Sequence, residues 1–460
     1  MKRLSALLAP TLLTGLLWGL VRPQAMVAQE LGTRCDLISY RVISSQGGEF
    51  GNRVTWLGRP NLACPDGLRI RADSAVVYEF NGRNELIGNV EFDTADRTLR
   101  ARRADYFENE GRLDAWGSVV LTDRKDGTQV RGDTLLFLDS GPFRQTESLV
   151  VTGGRPRATL PTSGTTPGSP SDPYEIRANR LRFEGERFLW GDGRVEIERG
   201  ELTAEADSLV FDQEEGLLIL RVDARVERGS VTARGGILNL TLRDDRLEML
   251  QARENGRIET EEFLLEGEDL QIFLDAQEEI SRISALGGGG VRASIQAEEV
   301  RLDGDEIEIA ESDEGLRVIR ASGNARGEAL RPDSLATDES TERDWIEGNE
   351  VVARFEEIPE EEVPSSGTDS PSARYRLLLL EATGSARTLY HSAPSRPEET
   401  SSPQSAISYV LADRIVVFMN EGAVDRLETE GNVRGIQLDP QVQESNPEPQ
   451  AAPEEGGSPR

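Results

Sequence analysis

Lysine is nearly missing from this chain of 460 residues: only Lys2 and Lys125 occur, so arginine supplies almost all positive charge. That arginine bias reads as compositional, because the spacing of the arginines singles out no site. Histidine occurs once, at His391 in a Ser/Pro-rich loop, which removes a His-based catalytic triad and a multi-histidine metal site. Cysteine occurs twice, at Cys35 and Cys64, without the CxxC spacing of a redox pair. Acidic residues outnumber basic ones, 83 to 52, for a net charge of -31. No basic stripe is present to release counterions from phosphates, so nucleic acid is excluded as a partner. Beyond the N-terminus no apolar run is long enough to cross a membrane as a helix.

What remains is patterned apolar material. Hydrophobic residues make up 37% of the chain and are spread along most of its length, too many for a disordered acidic polymer. The first thirty residues, "MKRLSALLAPTLLTGLLWGLVRPQAMVAQE", have a basic start, an apolar run and small residues before Ala28. That is the layout of an export signal over 1–28. Met26 stands where a small residue is preferred, so an uncleaved membrane anchor is the alternative. In an exported chain two cysteines imply a disulfide. The residues between them read as a hairpin turning at "SQGGEFGN", and a bridge at its base would staple a cap over 29–66.

A phrase recurs through the rest of the chain. A small residue, a polar residue and alternating apolar residues open it, as in "ADSAVVY" at Asp73, "GDTLLFL" at Asp133, "ADSLVF" at Asp207 and "ADRIVVF" at Asp413. It occurs ten times, mostly about thirty residues apart. A closing phrase answers each opening, usually Gly-x-Val or Gly-x-Ala, as at Gly88, Gly117, Gly193, Gly323 and Gly431. Turn-forming pieces such as "NGRN" and "DQEEG" lie between, so each unit is a β-hairpin. The long intervals hold Pro/Ser/Gly/acidic stretches without apolar periodicity.

The apolar parity of the opening arm slips. Ala206, Leu209 and Phe211 fall at i, i+3 and i+5, and one extra residue there, as a bulge or corner, restores a common face. The closing arm keeps parity and carries glycine at its middle. Both arms are therefore expected to bend, each crossing from one sheet to a second sheet facing it. The fold class is all-β: an elongated, solenoid-like stack of about ten bent antiparallel hairpins around one apolar interior, with a strand edge open at each end.

The repeated Ala-Asp openings answered by Gly-x-Val, behind an export signal, resemble the OstA-like (LptA-like) domain of lipopolysaccharide-transport proteins. The likeness is strongest in "IRADSAVVYEFNGRNELIGNVEF" and "YVLADRIVVFMNEGAVDRLETEGNVRGIQL". It implies a taco-like β-jellyroll whose interior holds lipid acyl chains, a periplasmic location, and end-to-end strand pairing with other transport proteins. On this reading repeats 1–3 occupy 67–160 and a linker 161–173. Repeats 4–8 follow over 174–330, a second linker over 331–344, repeats 9–10 with inserted loops over 345–438, and a tail over 439–460.

Carriage requires no catalytic residue, metal or cofactor, only a dry groove. Its expected lining is the inward apolar set Val77, Leu135, Phe137, Leu181, Phe183, Leu209, Phe211, Leu270, Ile272, Val300, Leu302, Ile415 and Val417. Periodicity alone leaves open whether these residues line a groove or pack into a closed core, as in a structural or adhesive solenoid. A secreted carbohydrate-active enzyme is the third reading, since "RLDGDEIEIA" places Asp303 near Asp305. In so acidic a chain such pairs arise on any solvated face.

Overall fold

A computed structural model of the chain describes residues 35–47, 53–64, 67–142, 144–162, 172–244, 246–275, 280–297, 300–311, 317–329, 344–358, 375–392, 406–420 and 423–438. The expected signal 1–28, the tail 439–460 and most of the two linkers lie outside those residues. Every regular element described is a β-strand, thirty in all. Pairing is antiparallel and follows chain order: Arg83–Asp93 pairs with Arg97–Phe107, which pairs with Arg112–Asp123, which pairs with Gln129–Leu138.

Each rung has two halves meeting at a corner. Fourteen strands run through the corner unbroken, and the other sixteen make eight divided rungs, such as Ser148–Thr152 with Arg157–Leu160. The thirty strands thus form twenty-two rungs, which at ~4.8 Å spacing is a stack about 100 Å long. One leaf contains the Ser74–Tyr78, Arg180–Glu184 and Glu306–Glu311 ends; the other contains Arg69–Arg71, Tyr174–Arg177 and Val300–Gly304. Inward side chains of the two leaves form one apolar core, in which Leu86, Leu181, Leu220 and Leu265 are fully buried. Burial of a side chain of that size contributes roughly 1.5–3 kcal/mol.

The corner explains the repeated phrase. In the opening arm Ala101 and Ala104, three apart, both face inward; in the closing arm Leu86 and Val90, four apart, do so. Register accordingly runs Ile87 to Arg103 and then Val90 to Ala101, two closing residues opposite one opening residue. The extra residue therefore belongs to the closing arm, not to the opening arm where the parity slip places it. Both closing residues, Gly88 and Asn89, take left-handed backbone, with φ of +75° and +46°. Two successive left-handed residues turn the strand, while the facing opening-arm residues keep negative φ.

Aspartate of the opening phrase braces this turn. Asp73 N–H donates to Gly88 O at 2.8 Å, and Asn89 Nδ2 donates to Asp73 Oδ2 at 2.8 Å. The carboxylate sits so close over Gly88 that a Cβ there would fall 2.5 Å from Oδ2. One corner exchanges the roles: Glu254 and Asn255 take the left-handed positions, and Gly236 on the opening arm yields the room. A Cβ on Gly236 would meet Glu254 Oε2 at 2.5 Å. At this corner the glycine has moved to the opening strand, which is why "ARGG" lacks the aspartate and Glu254 stands where the closing glycine usually does.

Arginine has a positional role that composition conceals. On the outer faces guanidinium groups reach across strands to carboxylates: Arg83 to Asp105 at 2.7 Å, Arg177 to Glu198 at 2.7 Å, Arg257 to Glu266 at 2.7 Å and Arg414 to Glu381 at 2.7 Å. Exposed pairs of this kind contribute on the order of 0.2–1 kcal/mol each. At the N-terminal end Cys35 and Cys64 are disulfide-bonded with their Cα atoms 4.1 Å apart, tying the first rung to the second beside the Asp36–Ala63 pair. His391 is not in a loop. It lies in the strand Tyr375–Ser392 with its side chain 6% exposed, and its Nδ1 is 2.6 Å from Asp344 Oδ1. The strand runs on past the expected loop start because residues 386–392 pair with 406–412.

Stability should respond to the corner with opposite signs at two positions. Gly88→Ala is expected to destabilise by about 1–2 kcal/mol, because the left-handed φ and the Asp73 contact both oppose a Cβ. Val222, a β-branched residue held at φ +65° and exposed, should gain up to about 1 kcal/mol when replaced by glycine. Urea unfolding midpoints of the two variants would check both signs.

Candidate functional site

The leaves are joined at the corner and free at their tips, so a ligand has room only along the tip edge. There, in the N-terminal half, they form a cavity of about 650 Å³. Phe92, Leu99, Leu121, Val130 and Leu160 line it from one leaf; Tyr106, Leu113, Phe137, Leu149 and Phe183 line it from the other. From the rung of Phe92 to that of Phe183 is five strand spacings, about 24 Å. Aromatic contacts between the leaves stand near both ends: Phe92 meets Tyr106 edge-on at 5.8 Å, and Tyr174 meets Phe211 at 6.1 Å.

All thirteen expected lining residues belong to the apolar interior or pack against it. Phe137 and Phe183 alone among them reach this cavity. Leu135, Leu181, Leu209, Phe211, Leu270, Ile272, Val300, Leu302, Ile415 and Val417 are 7% exposed or less and pack in the core, while Val77 is half-buried against it. Nine other apolar residues reach the cavity: eight come from closing arms or the facing leaf, and Tyr106 from an opening arm of the same leaf. Plain alternation in those arms, as in Val90 and Phe92 or Leu99 and Ala101, carried that signal.

Two ties cross the mouth. Arg97, at a tip of one leaf, bonds Glu147 at a tip of the other and also donates from Nε to Asp123 at 2.8 Å. Lys125 Nζ lies 3.5 Å from Asp96 on its own leaf and 3.5 Å from Glu186 on the opposite one. Further along the stack Arg317 bonds Glu262 across the same edge and donates to Tyr375 Oη at 2.9 Å. Burial opposes the charge on Asp123, yet hydrogen bonds from Arg97 and from the Lys125 backbone N–H outweigh it and hold the carboxyl below its ordinary value of 3.8. Burial likewise works against Arg97, and its bonds to Asp123 and Glu147 raise it above the ordinary arginine value. The charges of Asp96 and Glu186 raise Lys125. Asp126 and Asp139 complete the charged rim. Asp126 accepts from Thr128 N at 2.8 Å and Asp139 from Ser140 N at 2.7 Å.

Neither a family model nor a curated protein matches the sequence. Among solved structures the chain is similar to LptH of Pseudomonas aeruginosa, described as the LptA-homologous periplasmic component of the conserved lipopolysaccharide transport device. Identity is 17% and the TM-score 0.23, over 31% of this chain and 92% of that one.

Acid should loosen the mouth. A carboxyl whose folded value is depressed stabilises above its unfolded value, and that contribution is lost as pH falls through the folded one. Amide protection in the turn 123–129 is therefore expected to hold from about pH 7 to 5 and to fall below about pH 4. Asp123→Asn should lower protection already at neutral pH and abolish the acid step, as hydrogen exchange would read directly.

Proposed function

We propose that this protein is a periplasmic carrier or bridge for an envelope lipid in lipopolysaccharide transport, holding acyl chains between its leaves and performing no reaction. The observation that carries the reading is an elongated cavity between two β-leaves, with an apolar floor and a charged rim, open along the tip edge. Each methylene moved from water into such a slot gains roughly 0.8 kcal/mol, so twelve carbons supply about 10 kcal/mol without any polar anchor. The sequence resemblance to OstA-like domains supports the lipid class. A disulfide between Cys35 and Cys64 fits an oxidising compartment such as the periplasm.

The ends of the stack support partnership by strand pairing. Val42–Gly47 and Asp36–Ser39 form the first described rung, Ala423–Glu430 and Arg434–Leu438 the last. Both carry exposed apolar side chains, Ile38 and Val42 at one end and Ile436 and Leu438 at the other. Extended edges of this kind accept a further strand through backbone hydrogen bonds.

The compact core around Leu209, Leu270 and Ile415 favours the second reading, a structural solenoid, for the C-terminal part of the stack. Photo-crosslinking separates the two. With a photoreactive residue at Phe137, inside the cavity, lipopolysaccharide adducts are expected in the envelope of a lipopolysaccharide-making cell. At Arg182, whose guanidinium lies 4.0 Å over the Trp190 ring on the outer face, none are expected. Adducts at neither position in folded protein would favour the structural reading.

A further inference from the structure

The charge of the cavity's rim restricts what it accepts, an argument that rests on the lipid-carrier reading above. The cavity of about 650 Å³ runs about 24 Å along the stack, the length of an extended long alkyl chain, and its apolar floor lies beneath a charged mouth.

The rim is acidic. Six carboxylates, among them Asp96, Asp126, Asp139 and Glu186, face two cations, Arg97 and Lys125, a local balance of four negative charges. Both cations are already engaged, each by two carboxylates, in the ties that hold the leaves together. A phosphate at the mouth would meet the surplus carboxylates and would have to compete with carboxylates for either cation. Much of this rim is solvated, Lys125 at 56% and Glu186 at 74% side-chain exposure, so the field acts through water and is screened by salt.

We infer that the cavity is an acyl-chain site with a charge filter: it admits acyl or alkyl chains whose head is uncharged or cationic and disfavours those bearing a net negative charge. A phosphorylated glycolipid would seat its chains here with its phosphates neutralised or clear of the rim.

The test uses the full chain and the uncharged apolar probe N-phenyl-1-naphthylamine, displaced by three amphiphiles of equal chain length. These are an alkyl glycerol ether, an alkyl trimethylammonium and an alkyl phosphate, each below its aggregation threshold. At about 0.02 M salt the ether and the ammonium should displace the probe at roughly tenfold lower concentration than the phosphate, and the gap should narrow several-fold at about 0.5 M. Asp96→Asn with Glu186→Gln should shrink the gap and Lys125→Glu should widen it. Phosphate binding as tight as ether at low salt would overturn the inference while leaving lipid carriage intact. Failure of the probe to bind, or binding indifferent to Leu121→Trp inside the cavity, would remove both the filter and the carrier reading.

Discussion

The structure depends on one local event: two consecutive residues in left-handed backbone, opposite a single residue of the neighbouring strand. That bulge converts a flat meander into a folded one, and without it the apolar faces of the two halves would not meet. Its repetition at Gly88, Gly117, Gly193, Gly323, Gly384 and Gly431 keeps the corners in line. Side chains such as Leu86 and Val90 then stay inward from rung to rung. At all of these but Gly117, which meets Arg102, an aspartate or asparagine of the preceding opening phrase packs against the turn. The core, the cavity and the open edge all follow from where this turn sits.

Much of this was legible because it is local and repeated. The small–polar opening and the Gly-x-Val closing stand at the corner and specify each other, so their recurrence reveals both the hairpin unit and its bend. Assigning the extra residue to one arm was not possible from parity, because an odd spacing in one strand only acquires meaning against the even spacing of its partner. The arginines look uninformative for a similar reason. Arg83 and Asp105 are neighbours only after the strands pair.

The site was less legible than the fold. Alternation identifies inward positions, and Phe137 and Phe183 were found that way, but it cannot tell where inward side chains fill the wedge and where they leave space. That outcome depends on the distance between leaves, which the facing pairs Phe92–Tyr106 and Tyr174–Phe211 help set. The ties across the mouth were invisible for a stronger reason. Arg97 and Glu147 are 50 residues apart, on tips that face each other only because the sheet is folded at a corner remote from both.

Insertions lie at strand tips. The Pro/Ser-rich stretch 161–173 leaves after Arg157–Leu160 and returns at Tyr174–Arg177, which pair directly with one another. Because each rung otherwise touches only the rungs beside it, such a chain can assemble as a zipper. Every addition closes a short loop onto an edge already formed, and sequence separation between partners stays small for an all-β protein. Length then becomes an adjustable quantity: adding or removing one hairpin changes the reach of the stack by about two strand spacings, close to 10 Å, and leaves every other corner unchanged.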